Sequence, residues 1–160
     1  MAILTNNMVS MINAHIVAEQ YASLFYRSGA NWADANGLMG VAHWLESESK
    51  DESEHRDGFM AYLTDADAAV ITPASNAPPQ GWASLGAFFE EALALETRVR
   101  RSIEAIYRAA SEEQDFMTAA FLVKYLNGQR DAFATLTKIQ AWLKRYGDDY
   151  DAIDRRIGEL

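Results

Sequence analysis

Glutamate and histidine side chains interrupt an otherwise apolar helix face in this chain. From Leu38 to Tyr62, residues that would point inward recur in alternating steps of three and four, the spacing of one face of an α-helix. Glu48, Glu52 and His55 stand on this face. Buried carboxylates are costly unless they are paired, hydrogen-bonded or bound to a metal ion. These residues therefore indicate either a metal site or a partly exposed helix face.

Glu52 and His55 form a Glu-x-x-His pattern, which puts a carboxylate and an imidazole about one turn apart on the same face. Such a short pattern also arises by chance, so its meaning depends on what the other helices bring to it. The chain contains no cysteine. Carboxylates and imidazole without thiolates suit Fe(II) or Mn(II) better than copper(I) or structural zinc.

Apolar periodicity and turn signals divide the chain into four long helices and a short fifth one. We expect the helices of a single domain at about residues 6–35, 37–64, 84–110, 115–146 and 149–158. Asn36-Gly37 gives the first turn and Ser84 caps the third helix. Residues 111–114 have the spacing of a capping box before the fourth helix, which Gly147 ends.

Two hairpins bring polar residues to one level. Residues equally distant from the turn of an antiparallel hairpin lie at the same height. Glu19 and Glu52 are centred on position 35.5, beside the Asn36-Gly37 turn, and Glu96 and Gln129 are centred on position 112.5, inside the turn at 111–114. Both pairs fall near the middle of their helices, an arrangement that core packing alone does not explain.

The connection between the second and third helices, at about 65–83, contains all three prolines of the chain. Fully extended, a segment of this length spans ~65 Å, whereas a helix of about 28 residues is ~42 Å long. The connection can therefore run the length of the bundle and make the second and third helices parallel. An all-α four-helix bundle with one long crossover is the ferritin-like arrangement.

Four segments of the chain resemble ferritins. Segment 19–26 (Glu-Gln-Tyr-Ala-Ser-Leu-Phe-Tyr) is similar to the first-helix motif of that family, and 51–55 (Asp-Glu-Ser-Glu-His) resembles the Glu-Glu-x-x-His of the second helix. Segment 125–129 (Tyr-Leu-Asn-Gly-Gln) is close to the Tyr-Leu-Asn-Glu-Gln of animal H-type subunits. Residues 153–155 (Ile-Asp-Arg) resemble the start of the fifth helix of bacterial ferritins. The resemblance to non-haem bacterial and H-type ferritins covers nearly the whole chain.

The resemblance implies a ligand set for two iron ions per subunit. In it, Glu19 and His55 bind the first iron, Glu52 bridges the two, Glu96 binds the second and Gln129 assists that second site. A protein of this kind oxidises Fe(II) with dioxygen or hydrogen peroxide. It stores the ferric product as mineral in a homo-oligomeric cage, in this case of 24 subunits.

Tyr26 matches the ferritin tyrosine that hydrogen-bonds the centre and can supply an electron, although a purely structural role fits equally well. Residues 129–132 (Gln-Arg-Asp-Ala) replace the second Glu-x-x-His of bacterioferritins and rubrerythrins, which excludes a symmetric centre. Bacterial ferritins have a third iron site, and in this chain its set of residues is incomplete. Its positions fall on Asp51, Gly128, Asp131 and Ala132. Asp51, Asp131 and Glu48 remain as accessory residues that could pass iron inward.

No metal role is expected for the remaining histidines and methionines. His15 and His43 are expected to have packing or surface roles. No methionine matches the haem-ligating position of bacterioferritins, so no haem is predicted. The acidic positions of the three-fold pores in animal ferritins fall on Ala119 and Leu122, so the route of iron through a shell is undefined.

Composition narrows the remaining classes. The net charge of −9 and the lack of a basic cluster argue against nucleic-acid binding. No apolar run approaches the length of a membrane span, and no secretory signal is visible, so a cytoplasmic protein is expected. Two alternatives stay open: a storage subunit without ferroxidase activity, and a ferritin-like di-iron or di-manganese oxidase or peroxidase that builds no cage.

Overall fold

The computed structural model describes residues 3–160, and this part of the chain forms five helices and no strand. Helices α1 to α5 run over Asn6–Ala35, Met39–Asp65, Leu85–Glu112, Phe116–Tyr146 and Tyr150–Gly158. The expected four-helix bundle with a long crossover and a short fifth helix is confirmed. None of these helices is long and apolar enough to cross a membrane.

Side-chain caps fix where the helices begin. The hydroxyl of Ser84 accepts a backbone N–H hydrogen bond of 3.0 Å in the first turn of α3, as predicted. The expected capping box before α4 is wrong. Ser111 is still inside α3, where its hydroxyl donates to the carbonyl of Tyr107 at 2.9 Å. Asp115 caps α4 instead, because its Oδ1 accepts the N–H of Thr118 at 3.0 Å.

The crossover, residues 66–84, lies along the whole of α1. Near its start, the amide of Asn13 donates to the carbonyl of Ala69 at 2.9 Å. Near its end, Trp82 lies edge-on to Trp32, with ring centroids 5.6 Å apart. Asn13 belongs to the first turns of α1 and Trp32 to its last, so the chain returns to the α1–α2 turn before α3 begins. Helices α2 and α3 therefore start at the same end of the bundle and run parallel.

Helix α5 packs against the first turn of α2. Ile153 and Ile157 are completely buried there. The carboxylate of Asp154 accepts the backbone N–H of Val41 at 2.8 Å, which satisfies a free donor at the start of α2. A Cβ on Gly40 would lie 2.2 Å from the carbonyl oxygen of Asp154. The two backbones approach so closely that only glycine fits at this position.

Candidate metal centre

A layer of buried polar side chains crosses the middle of the bundle. Each long helix contributes one residue to it: Glu19 from α1, Glu52 from α2, Glu96 from α3 and Gln129 from α4, none of them more than 4% exposed. The layer lies within an apolar core. Three carboxylates in such surroundings carry a large desolvation cost, which neighbouring donors or a bound cation must offset.

Glu19, Glu52 and His55 form the first part of the centre. Each offers one ligand atom, and these three atoms lie within 4.8 Å of one another. Oε2 of Glu52 is 3.0 Å from Nδ1 of His55, which the Glu-x-x-His spacing on α2 makes possible. The imidazole is 37% exposed, so this side of the centre is open to solvent.

Glu96 and Gln129 form the second part. Tyr26 donates its hydroxyl to Oε1 of Glu96 at 2.5 Å, and the amide nitrogen of Gln129 donates to Oε2 at 3.0 Å. These bonds join side chains from α1, α3 and α4 and fix the plane of the Glu96 carboxylate. The pairing of Glu96 with Gln129 is the one that the hairpin geometry predicted.

Two buried oxygens in this layer have no hydrogen-bond partner: Oε2 of Glu19 and Oε1 of Gln129. A buried polar atom without a partner costs about 1–3 kcal/mol. A cation bound between the helices would give each of these oxygens a partner. The donor set of carboxylate, imidazole and amide groups suits the hard to intermediate cations expected from the sequence.

Burial controls the protonation of the carboxyl groups. It raises the pKa of Glu52 to about 7 and, together with the charge of Glu52, that of Glu96 to about 7. Burial also raises the pKa of Glu19. For His55, burial lowers the pKa, but the hydrogen bond with Glu52 and the charges of the nearby carboxylates outweigh it and raise the pKa to about 9. Near neutral pH the centre therefore holds protons that a cation would displace.

A cleft of about 340 Å³ leads from the centre to the surface. Glu52, His55 and Gln129 line its inner part together with Tyr26, and the predicted accessory residues Glu48, Asp51 and Asp131 line it as well. Asp51 and Asp131 are exposed. These acids border the cleft and do not belong to the group formed by Glu19, Glu52 and His55.

Glu48 and Gly128 determine the charge and the width of the cleft. Burial, reinforced by the charge of Glu52, raises the pKa of Glu48 to about 8. Gly128 lies on the opposite wall, and a Cβ added there would meet nothing within 4 Å. The side chain that would narrow the cleft at this position is missing, which leaves a water-accessible path beside the centre.

His15 is the residue that sequence reasoning misplaced. The side chain is completely buried, so a surface role is wrong. The expected packing role does not account for its polar contacts. Nε2 of His15 is 2.7 Å from Oε1 of Glu19, and Nδ1 is 2.9 Å from Oγ of Ser102 on α3. The spacing of four residues between His15 and Glu19 on one helix was the available signal. His43, in contrast, is exposed, as expected.

The bundle with one long crossover and the mid-bundle layer of carboxylates define the ferritin-like class of proteins. The family model described as Ferritin-like domain matches residues 9–145. The chain therefore belongs to the ferritin family.

Known ferritins match more than nine-tenths of this chain in sequence or in structure. The bacterial non-heme ferritin of Bacteroides fragilis is 27% identical over 157 residues, which cover 98% of this chain and 99% of that protein. The bacterial non-heme ferritin of Campylobacter jejuni is 28% identical and covers 91% of this chain, with 87% of its own length matched. An open pore ferritin from the archaeon Archaeoglobus fulgidus superposes with a TM-score of 0.94 at 29% identity, covering 100% of this chain and 99% of that one.

Proposed function

We propose that this protein oxidises Fe(II) with dioxygen at a di-iron ferroxidase centre and stores the ferric product as mineral inside a cage of its own copies. One observation carries the proposal. Buried side chains from four helices meet at mid-bundle, and two of their oxygens, on Glu19 and Gln129, have no partner within the protein. The likeness to proteins named bacterial non-heme ferritin supports the same activity.

Each ligand has a proposed place. Glu19 and His55 hold the first iron and Glu52 lies between the two, which agrees with the close grouping of these three side chains. Glu96 and Gln129 hold the second iron, in agreement with their hydrogen-bonded pairing. The amide of Gln129 is uncharged, so the second site binds its iron less tightly than the first. A looser site suits an ion that must leave as product.

The protein's part in the oxidation is to hold two cations together among anionic oxygens. Each Fe(II) gives up one electron, and dioxygen or hydrogen peroxide accepts the pair. Anionic carboxylate ligands favour the ferric state because its charge is higher. Tyr26 orients Glu96 through its hydroxyl group. Glu48, Asp51 and Asp131 guide cations along the cleft that borders the centre.

Anaerobic titration with Fe(II), followed by exposure to oxygen, tests the centre. We expect two irons per chain in the wild type, and loss of at least one iron and of rapid oxidation in Glu52→Gln. Glu54→Gln is the matched control, because Glu54 lies on the same helix with a side chain that is 66% exposed. Fewer than two irons in the wild type, or rapid oxidation in Glu52→Gln, would overturn the proposed centre.

Gel filtration tests the cage independently. A shell of 24 chains has about 24 times the 17.8 kDa mass of one chain. A dimer that still oxidises Fe(II) would contradict storage and favour a cage-less oxidase or peroxidase. An assembled shell that binds no iron at mid-bundle would favour the storage subunit without ferroxidase activity.

A further inference from the structure

His15 is a completely buried polar side chain that lies outside the proposed ligand set. Its ring meets three helices. Nε2 contacts Glu19 on its own helix α1, Nδ1 contacts Ser102 on α3, and the ring lies edge-on to Phe59 on α2, with centroids 4.5 Å apart. A ring held from three sides has one available orientation, so the position of Nε2 is fixed by the fold.

When Glu19 is ionised, as metal binding requires, the hydrogen bonds of His15 run in one direction, from Ser102 toward Glu19. An ionised Glu19 can only accept, so Nε2 of His15 carries the proton that it donates to Oε1. Nδ1 then accepts, and the hydroxyl of Ser102 is its donor at 2.9 Å. The chain of donors therefore passes from Ser102 through His15 to Glu19 and satisfies both ring nitrogens, as burial of an imidazole requires.

This chain of donors leaves the two oxygens of Glu19 in different situations. Oε1 is engaged by His15 at 2.7 Å, whereas Oε2 is buried and has no hydrogen-bond donor when Glu19 and Glu52 are both ionised. Glu19 offers a ligand atom to the group that contains Glu52 and His55, and His15 is not a member of that group. His15 thus contacts a proposed metal ligand without being one of the ligands.

We infer that His15 is a positioning residue that holds Glu19 through Oε1, so that Glu19 binds the first iron through Oε2 alone. The inference rests on the proposed function, because it requires Glu19 to be a metal ligand. A carboxylate without this restraint could turn and chelate through both oxygens. The restraint therefore sets the coordination number that Glu19 gives to the first site, and leaves a position free there for an oxidant.

Two polar variants separate positioning from packing. The amide of a glutamine reaches about as far as Nε2 of the imidazole, so His15→Gln retains a donor to Glu19. The amide of an asparagine reaches only about as far as Nδ1, so His15→Asn can keep the contact with Ser102 but loses the one with Glu19. Both substitutions disturb the packing against Phe59, and thermal unfolding of the metal-free proteins measures that disturbance separately.

The probe is Co(II), titrated anaerobically into the assembled protein, with visible absorption reporting the coordination geometry. Loss of a residue that orients a metal ligand typically weakens binding about 10–100-fold. We expect that weakening at the first site in His15→Asn, with a changed Co(II) spectrum and a second site that binds as in the wild type. We expect His15→Gln to bind Co(II) at the first site with less than the ~10-fold weakening expected for His15→Asn.

The outcomes distinguish this inference from the proposed function. Fewer than two Co(II) ions per wild-type chain would overturn the proposed centre itself. Two ions in the wild type, together with wild-type affinity and spectrum in a folded His15→Asn, would overturn the positioning role alone. Equal weakening in His15→Asn and His15→Gln would also overturn it, because packing and not the donor would then be responsible. If His15→Asn does not fold, Ser102→Ala replaces it, and an unchanged first site in that variant counts against the inference.

Discussion

Replacing Glu96 by glutamine should stabilise the metal-free protein at alkaline pH and weaken the proposed second iron site. The carboxyl of Glu96 is only 1% exposed, and burial together with the charge of Glu52 raises its pKa from 4.5 to about 7. The amide of Glu96→Gln has nearly the same shape and never ionises. Gln129 can turn its unpartnered oxygen toward the new amide, so the hydrogen bonding adapts.

The sign and the size of this change in stability follow from the different proton binding of the folded and unfolded chains. Between pH 4.5 and 7 the folded wild type holds a proton on Glu96 that the unfolded chain has released, so stability falls as pH rises through this window. A shift of this size corresponds to about 3 kcal/mol above pH 7, because each pKa unit is worth ~1.4 kcal/mol. The stability difference between Glu96→Gln and wild type should therefore be small near pH 4.5 and grow to about 3 kcal/mol by pH 8.

Thermal unfolding in the presence of a chelator measures this difference. For a chain of this size, about 3 kcal/mol corresponds to roughly 6–12 °C in Tm. Glu90→Gln is the control, since Glu90 is an exposed residue of the same helix. A Tm difference that stays constant from pH 5 to pH 8 would contradict a raised pKa of Glu96, and so would a difference of equal size in Glu90→Gln. Anaerobic Fe(II) binding to the same variant should show a weakened second site.

Three further predictions concern the centre and its cleft. Burial raises the pKa of Glu52 and of Glu96 to about 7, so Fe(II) binding should release protons and tighten as pH rises from about 6 to 8. Calorimetry in buffers of different ionisation enthalpy would measure the proton release. An affinity that does not depend on pH would contradict this prediction. Tyr26→Phe should lower the stability by about 1.5–3 kcal/mol at a pH where Glu96 is ionised, because the carboxylate loses a hydrogen-bond donor. The same variant should oxidise Fe(II) more slowly. A normal oxidation rate in stopped-flow absorbance would show that Glu96 needs no such donor. Gly128→Ala should raise stability by about 1 kcal/mol with unchanged iron stoichiometry, since the added Cβ meets nothing within 4 Å, and a lower Tm would argue against that geometry.

The amino-acid sequence alone determined the helices and the level of the centre. Helical periodicity is a local property, so the long helices could be placed to within about two residues at each end. Distance along the chain from each turn then paired Glu19 with Glu52 and Glu96 with Gln129. The hydrogen bond between Glu96 and Gln129 at 3.0 Å agrees with this pairing. The prediction of a capping box at 111–114 was wrong, because Ser111 continues α3 and Asp115 caps α4.

The surroundings of each proposed ligand depend on how the helices pack, which the sequence does not specify. Periodicity states which face of a helix is buried, but it does not state which side chain on another helix lies opposite. Nothing in the sequence places Ser102 beside His15, or leaves one oxygen of Glu19 without a partner. The protonation of the carboxyl groups depends in the same way on burial and on charges from several helices. These properties arise from distances between residues far apart in the chain, and they appear only when the bundle is assembled.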